Sequence, residues 1–212
     1  MREMTQDPWT QAPTLRGDQV FIRPTVPADA EGMARAYDDP DTFRYFPFGI
    51  ESEPPSAASV KHALASGRIT LTQIDARGGQ IVGSTSMYNI SRANGRVTVG
   101  YTWLSSKVLG TGVNSESKLL LLGHIFDVMG ARRVEFNVDD LNTRSRAAVL
   151  AIGAADEGAL RNHARRRDGT WRTTMVYSVT DDEWPAVRAA LQRRIDASLR
   201  PPQPGAPDRF SQ

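Results

Sequence analysis

Three strand-like runs give way abruptly to a helix through Gly110-Thr111-Gly112, and this change of period constrains the chain more than any other feature of its sequence. The runs Arg68–Asp75, Gln80–Ile90 and Arg96–Leu104 are separated by Arg77-Gly78-Gly79 and Ala93-Asn94-Gly95. Such glycine-rich breaks between β-rich segments are hairpin signals, so an antiparallel meander is expected. From Asn114 to Val128 apolar residues recur at helical spacing and the pattern closes at Gly130. Two glycines at the junction let the backbone turn tightly and approach a ligand. The helix that follows aims its first free amides and the positive end of its dipole into the loop. That arrangement suits a pyrophosphate, although a plain turn would use the same residues.

Two familiar phosphate loops do not fit. A Rossmann fingerprint needs a third glycine and an acidic residue about twenty positions on, and a P-loop ends in Gly-Lys-Ser/Thr. Neither pattern is present around Lys107-Val108-Leu109-Gly110-Thr111-Gly112-Val113-Asn114.

Elsewhere the chain alternates. Asp18–Arg23 reads as a strand stopped by Pro24, and Pro27-Ala28-Asp29-Ala30-Glu31 opens a helix that ends at Asp38-Asp39-Pro40-Asp41. A second helix is expected from about Ser56 to Ser66, a strand over Arg132–Val138, and a helix over Arg144–Ile152 closed by Gly153. Two strands, about Glu157–His163 and Trp171–Val179, flank the Asp168-Gly169 turn, and a last helix starts at Asp181-Asp182-Glu183-Trp184-Pro185 and runs to about Leu199. With 212 residues, one core is the expectation. Residues 15–199 are assigned to it, with flexible tails over 1–14 and the Pro-rich 200–212, whose composition offsets little ordering entropy.

Composition removes several classes of function. The net charge of +2 supplies no strong field for nucleic acid or membrane, and the Arg165-Arg166-Arg167 run before Asp168-Gly169 reads as a solvated hairpin end. The chain has no cysteine, which excludes disulfides, thiol catalysis and cysteine metal sites; no metal is expected. The N-terminus lacks the apolar core of a signal peptide, so the cytoplasm is the expected compartment.

Lys107-x-x-Gly110-x-Gly112 resembles the Gln/Arg-x-x-Gly-x-Gly/Ala motif of the GCN5-related N-acetyltransferase (GNAT) family, with lysine in place of Gln or Arg. The resemblance runs from about Leu15 to Val187 and includes Gly100-Tyr101-Thr102-Trp103-Leu104, Gly112-Val113-Asn114-Ser115-Glu116-Ser117-Lys118-Leu119-Leu120, Arg132-Arg133-Val134-Glu135-Phe136, Asn142-x-x-Ser145 and Gly153-Ala154, with Arg146 and Lys118 as candidates to reach the CoA phosphates. It is of the RimJ/RimL type. It implies a mixed α/β fold: a mostly antiparallel central sheet, splayed between its fourth and fifth strands, with helices on both faces. It also implies acetyl-CoA as cosubstrate and an amine acceptor, a protein or peptide N-terminal α-amine first. The alternatives are a small amine (an antibiotic, a polyamine or an amino-acid derivative) and a non-catalytic acyl-CoA-binding module. A homodimer through the C-terminal strands or final helix is compatible with the pattern.

By the same resemblance Lys107, Leu109, Gly110, Thr111, Gly112, Val113 and Asn114 hold the CoA pyrophosphate, and Asn142 bonds the pantetheine or caps its helix. Val97–Leu104 becomes the strand that pairs with the pantetheine, bulged so that a backbone amide can hold the oxyanion. Many relatives protonate the leaving thiolate with a tyrosine seven residues after the motif asparagine; Val149 stands there, and Ser145, which matches the serine of RimL-type relatives, is the expected acid or sulfur-hydrogen-bonding group instead. Relatives also carry a glutamate where this chain has Thr98, which leaves Asp139, Glu135, His163 or a water relay as the base. Phe46, Tyr88 and Tyr101, with Tyr45 and Phe48, line either the acceptor cleft or the core. Trp103 and Trp171 are assigned to packing.

Overall fold

The computed structural model describes residues 7–47, 49–50 and 53–199. Its centre is one sheet of β1 (Leu15–Arg16), β2 (Val20–Pro24), β3 (Ile69–Asp75), β4 (Ile81–Ser91), β5 (Arg96–Leu104), β6 (Arg133–Asp139), β7 (Ala155–Arg165) and β8 (Trp171–Thr180). The spatial order is β1-β2-β3-β4-β5-β6-β8-β7. Every neighbouring pair is antiparallel except β5 and β6, which are parallel because a helix crosses between them. The expected meander is therefore β3 to β5, and the expected mixed α/β sheet is present.

On one face α1 (Asp29–Ala36) and α2 (Ala57–Ala65) bury Met33, Ala36 and Val60 with Phe43 and Trp103. Ser56 and Ser59 cap the start of α2 reciprocally, each side chain accepting from the other's amide. On the other face α3 (Val113–Gly123), α4 (Thr143–Ala151) and α5 (Trp184–Leu199) close the larger core around Leu121, Leu122, Val149, Tyr177 and Leu191. The helical pattern read from Asn114 to Val128 is α3 followed by a π turn over His124–Val128.

One carboxylate fastens α3 to the start of the sheet. Buried Glu116 accepts from the amides of Asp18 (3.0 Å), Gln19 (2.7 Å) and Val20 (2.8 Å). These successive amides line the β1–β2 turn as an anion nest. Gly17 is required beside them, since a Cβ there would run into the Glu116 carboxylate.

Three expectations change. Residues 7–14 are not a loose tail: Trp9 is 8% exposed and belongs to the main core, because its indole outweighs the polar residues around it. Trp171 is 52% exposed, with the Arg165 guanidinium 4.3 Å from its ring centre, so it does not serve the core. Arg166 is not a solvated hairpin end; its side chain is 11% exposed and paired with Asp139. The expected tail over 200–212, residues 1–6 and Phe48 lie outside the described residues.

Replacing Glu116 with Ala leaves three amides without their acceptor. At about 1–3 kcal/mol for each buried donor left unmade, urea unfolding is expected to show a loss of roughly 3 kcal/mol or more, with a smaller loss for Glu116→Gln.

Candidate active site

β5 and β6 pair at Arg96↔Arg133, Val97↔Val134 and Thr98↔Glu135, and there the pairing stops. Beyond that rung β6 continues along β8 to Asp139↔Thr174, while β5 stays with β4 to Leu104↔Gly83. The two strands part, at the fourth and fifth strands of the expected count. A bulge marks the place: Ser84 faces Trp103 and Ser86 faces Gly100, so Thr85 alone opposes Tyr101 and Thr102. Tyr101 takes φ +50°, which bends β5 and re-aims the side chains that follow. Both strands end at the open mouth of the V, so the β5–α3 loop and the start of α4 meet there.

The β5–α3 loop is braced from below by Asp38. Its carboxylate accepts from Ser105 Oγ (2.7 Å), Ser106 N (2.9 Å) and Ser106 Oγ (2.9 Å). Lys107 lies exposed in a short 3-10 turn, Ser106–Val108, and Leu109 and Thr111 are also exposed. Gly110 sits at φ +77° with open space where a side chain would be. Gly112, at φ +92°, starts α3 without any side-chain cap, so the first amides of the helix face the mouth. A Cβ on Gly112 would collide with Ser198 Oγ of α5, so this glycine serves the fold as well as the loop. Val113 is buried in the main core, where only its amide could serve a ligand, and Asn114 is half-buried.

Across the mouth Asn142 caps α4, its Oδ1 accepting from Ser145 N at 3.0 Å. The cap uses one end of the amide and leaves its donor end to a ligand. Ser145 is half-buried in the first turn of α4, and Val149 faces the core.

Deeper in the V, each face is spanned by one side chain. On the α3 face Lys118 is buried; its Nζ donates to Thr102 Oγ1 (3.3 Å) and lies 5.9 Å from the ring centre of Phe136 on β6. Burial alone lowers its pKa from 10.5 to about 8. On the opposite face the Tyr88 ring lies over Gly100, where a Cβ would come within 3.0 Å of it. The Tyr88 hydroxyl bonds Asn137 of β6, and burial raises its pKa to about 12, so the phenol stays protonated. Tyr101 packs edge-on to Tyr88 (5.2 Å) and Phe46 (6.1 Å), and Arg68 stacks on it at 4.0 Å. Phe46, Tyr101, Arg68, Glu53 and Trp103 line a cavity of about 60 Å³ between this face and α1–α2.

The three candidate bases separate clearly. Asp139 has no exposed side-chain surface and is gripped by Arg166 through two bonds of 2.8 and 2.9 Å. Burial would raise its pKa, but the Arg166 bonds and the Leu141 amide outweigh burial and hold it below the usual carboxylate range. It is a counter-ion: Arg172, largely buried, also comes to 3.9 Å from it. His163 is exposed on β7, two strands from β6, and bonds Thr174 Oγ1 (3.1 Å). Glu135 alone stands at the vertex of the V. Its Oε1 accepts from Arg133 Nε (2.9 Å), and its Oε2 is 3.5 Å from Thr98 Oγ1.

Comparison with known proteins agrees with this geometry. A family model for the acetyltransferase (GNAT) domain matches residues 19–155. A GCN5-related N-acetyltransferase from Brucella melitensis superposes with a TM-score of 0.76 at 26% identity, over 87% of this chain and 88% of that one. RimJ from Mycobacterium smegmatis, in complex with CoA-disulfide, shares the fold with a TM-score of 0.72 at 24% identity, over 88% of this chain and 95% of that one. YdaF of Bacillus subtilis (strain 168), named for ribosomal N-acetylation, is 26% identical over 106 residues; the match spans 50% of this chain and 57% of that relative. The chain belongs to the GNAT acetyltransferase family.

Sequence reasoning passed over Arg68 and Arg172, which the fold brings to the V, and named Lys118 only as a candidate to reach the CoA phosphates. Lys118 shares a helical stripe with Leu121, Leu122 and Ile125, so a lysine on an apolar face was the available signal. Arg68 and Arg172 gave none, because their positions depend on the bulge and on strand order.

Asp139→Asn is expected to destabilise by on the order of 3 kcal/mol, since Arg166 and Arg172 are left without their shared counter-ion. Because the folded pKa of Asp139 lies below its unfolded value, the wild-type advantage is present above the ordinary carboxylate range. It fades as pH falls through the folded value, which thermal melts across acid pH will show.

Proposed function

We propose that this protein transfers the acetyl group of acetyl-CoA directly to a primary amine, with a protein or peptide N-terminal α-amine as the first acceptor class. The observation that carries the reading is the parted β5–β6 pair, which has a bulge beside it and uncapped helix amides at its mouth. A pyrophosphate at Gly110–Asn114 leaves the pantetheine arm to run down the V along β5, and Asn142 has a free amide donor for it. The thioester carbonyl then reaches the bulge, where a backbone amide polarises it and stabilises the oxyanion. Mycobacterium smegmatis RimJ, which shares the fold, forms a complex with CoA-disulfide, and that complex supports this route.

The acceptor enters from the α1–α2 side. A cavity of about 60 Å³ admits one short side chain or chain end. Sites that enclose a whole drug-sized molecule measure roughly 300–1,000 Å³, so most of the acceptor must lie outside. That favours the end of a polypeptide over an engulfed small amine. Glu135 is the group best placed to take the ammonium proton, directly or through water: register puts it beside Thr98, so the neighbouring strand supplies the carboxylate that Thr98 lacks. With neither thiol nor activated hydroxyl at the vertex, attack by the amine in a ternary complex is the route the site supports.

Calorimetric titration of acetyl-CoA tests the cosubstrate site through a matched pair at Gly110. Asn and Asp both tolerate positive φ, and only Asp adds a negative charge beside the pyrophosphate. Gly110→Asp is expected to weaken binding at least tenfold relative to Gly110→Asn; equal affinities would overturn the placement. Thiol release with short α-amine peptides against a panel of small amines then decides the acceptor class.

A further inference from the structure

We propose that Lys118 is a further catalytic residue: its ammonium, held beneath the parted strands, contacts the thioester sulfur and protonates it as CoA leaves. The inference rests on the acetyl-CoA reading above and gives Lys118, which the sequence resemblance includes without any part in the chemistry, a role at the sulfur.

Its position comes first. Lys118 projects from the second turn of α3 and is buried, yet its hydrogen bond goes to the neutral hydroxyl of Thr102. A lysine ammonium has three donors, so two remain to be used. The groups packed against it are Thr102 of β5, itself 2.7 Å from Thr85 of β4, and the Phe136 ring of β6. No ionisable group from those strands contributes to its shifted pKa, which has burial as its cause. A buried cation without a counter-ion is costly to the fold, and an electron-rich ligand atom would relieve that cost.

The order of groups along the V fixes which atom that is. The helix amides hold the mouth, Thr102 comes next, then the Tyr101 bulge, then the Thr98–Glu135 rung. A thioester with its carbonyl at the bulge and its nucleotide at the mouth places its sulfur on the mouth side of the bulge, at the level of Thr102. Lys118 Nζ is at that level.

The chemistry then balances. The neutral amine bonds to the carbonyl carbon, and the tetrahedral intermediate collapses. The C–S bond breaks with its electron pair going to sulfur, and Nζ gives sulfur a proton, so CoA departs as the thiol. The nitrogen loses its surplus proton to Glu135 or water, and solvent recharges Lys118 once the cleft empties. An ammonium with a pKa near 8 matches a thiol of pKa about 8.5, whereas a serine hydroxyl can only donate a hydrogen bond and Tyr88 near 12 is too weak an acid.

The test uses CoA itself. Thiolate absorbance in the ultraviolet reports the titration of the bound thiol, with Lys118→Met and Lys118→Arg beside the wild type. In wild type and Lys118→Arg the bound thiol should titrate at least one pH unit below free CoA, and in Lys118→Met this shift should vanish while CoA still binds. With a short α-amine peptide, thiol release should fall about 100-fold or more in both variants, because arginine pairs with sulfur but does not give up its proton. The wild-type rate should also decline above pH 8, and this limb should be missing in Lys118→Met. Identical thiol titration in wild type and Lys118→Met, or full turnover in Lys118→Met, overturns the role of Lys118 while leaving the cosubstrate site intact. Absence of CoA binding by the wild type overturns the acetyltransferase reading and this inference with it.

Discussion

Two parallel strands that stop bonding each other leave rows of backbone donors and acceptors that must find other partners, since each buried group left alone costs about 1–3 kcal/mol. In this protein that debt arises at the Thr98↔Glu135 rung. The bulge at Tyr101 keeps the strands from closing again, and β8 and β4 hold them from outside. An extended ligand carrying its own amides is the natural filler of such a gap. The glycine-rich turn, the capping asparagine and the aromatic wall are all arranged around its two ends.

Charge is distributed unevenly about this gap. On the β6–β8 side Asp139 is shared between Arg166 and Arg172, a buried cluster that fixes the turn before α4 and has no spare basicity for proton transfer. At the vertex Glu135 has one oxygen on Arg133 and the other near a neutral hydroxyl. On the α3 face Lys118 has no acid beside it among the described residues. Asp139, held between two arginines, positions the strands; Glu135, with one arginine that it shares with Glu157, and Lys118, on a neutral hydroxyl, are less fully compensated.

Most of the framework was legible in the chain. Alternating runs broken by glycine turns gave the meander, and helical spacing after Gly112 gave α3, because both signals depend on local periodicity. The Glu116 nest was not legible, since it joins residues nearly a hundred positions apart. Nor was the docking of Trp9: a polar stretch with one indole looks like a tail until a groove in the core is there to receive it. At the site, the loop glycines could be read from their spacing. Ranking Glu135 above Asp139 and His163 required strand register, because a parallel pair between distant segments leaves no mark in either. Gly112 also hid a second duty, for nothing in the loop announces that α5 abuts it.

That contact has a consequence for the order in which the molecule is completed. Synthesis delivers the glycine-rich loop at residues 107–114, but the backstop behind Gly112 is Ser198, in the last turn of α5, and α5 also stacks Trp184 on Phe126 beneath α3. The loop therefore emerges from the ribosome long before the surface that sets its shape. A nascent chain has its meander early, and the loop takes its final shape only once α5 has been made and has docked.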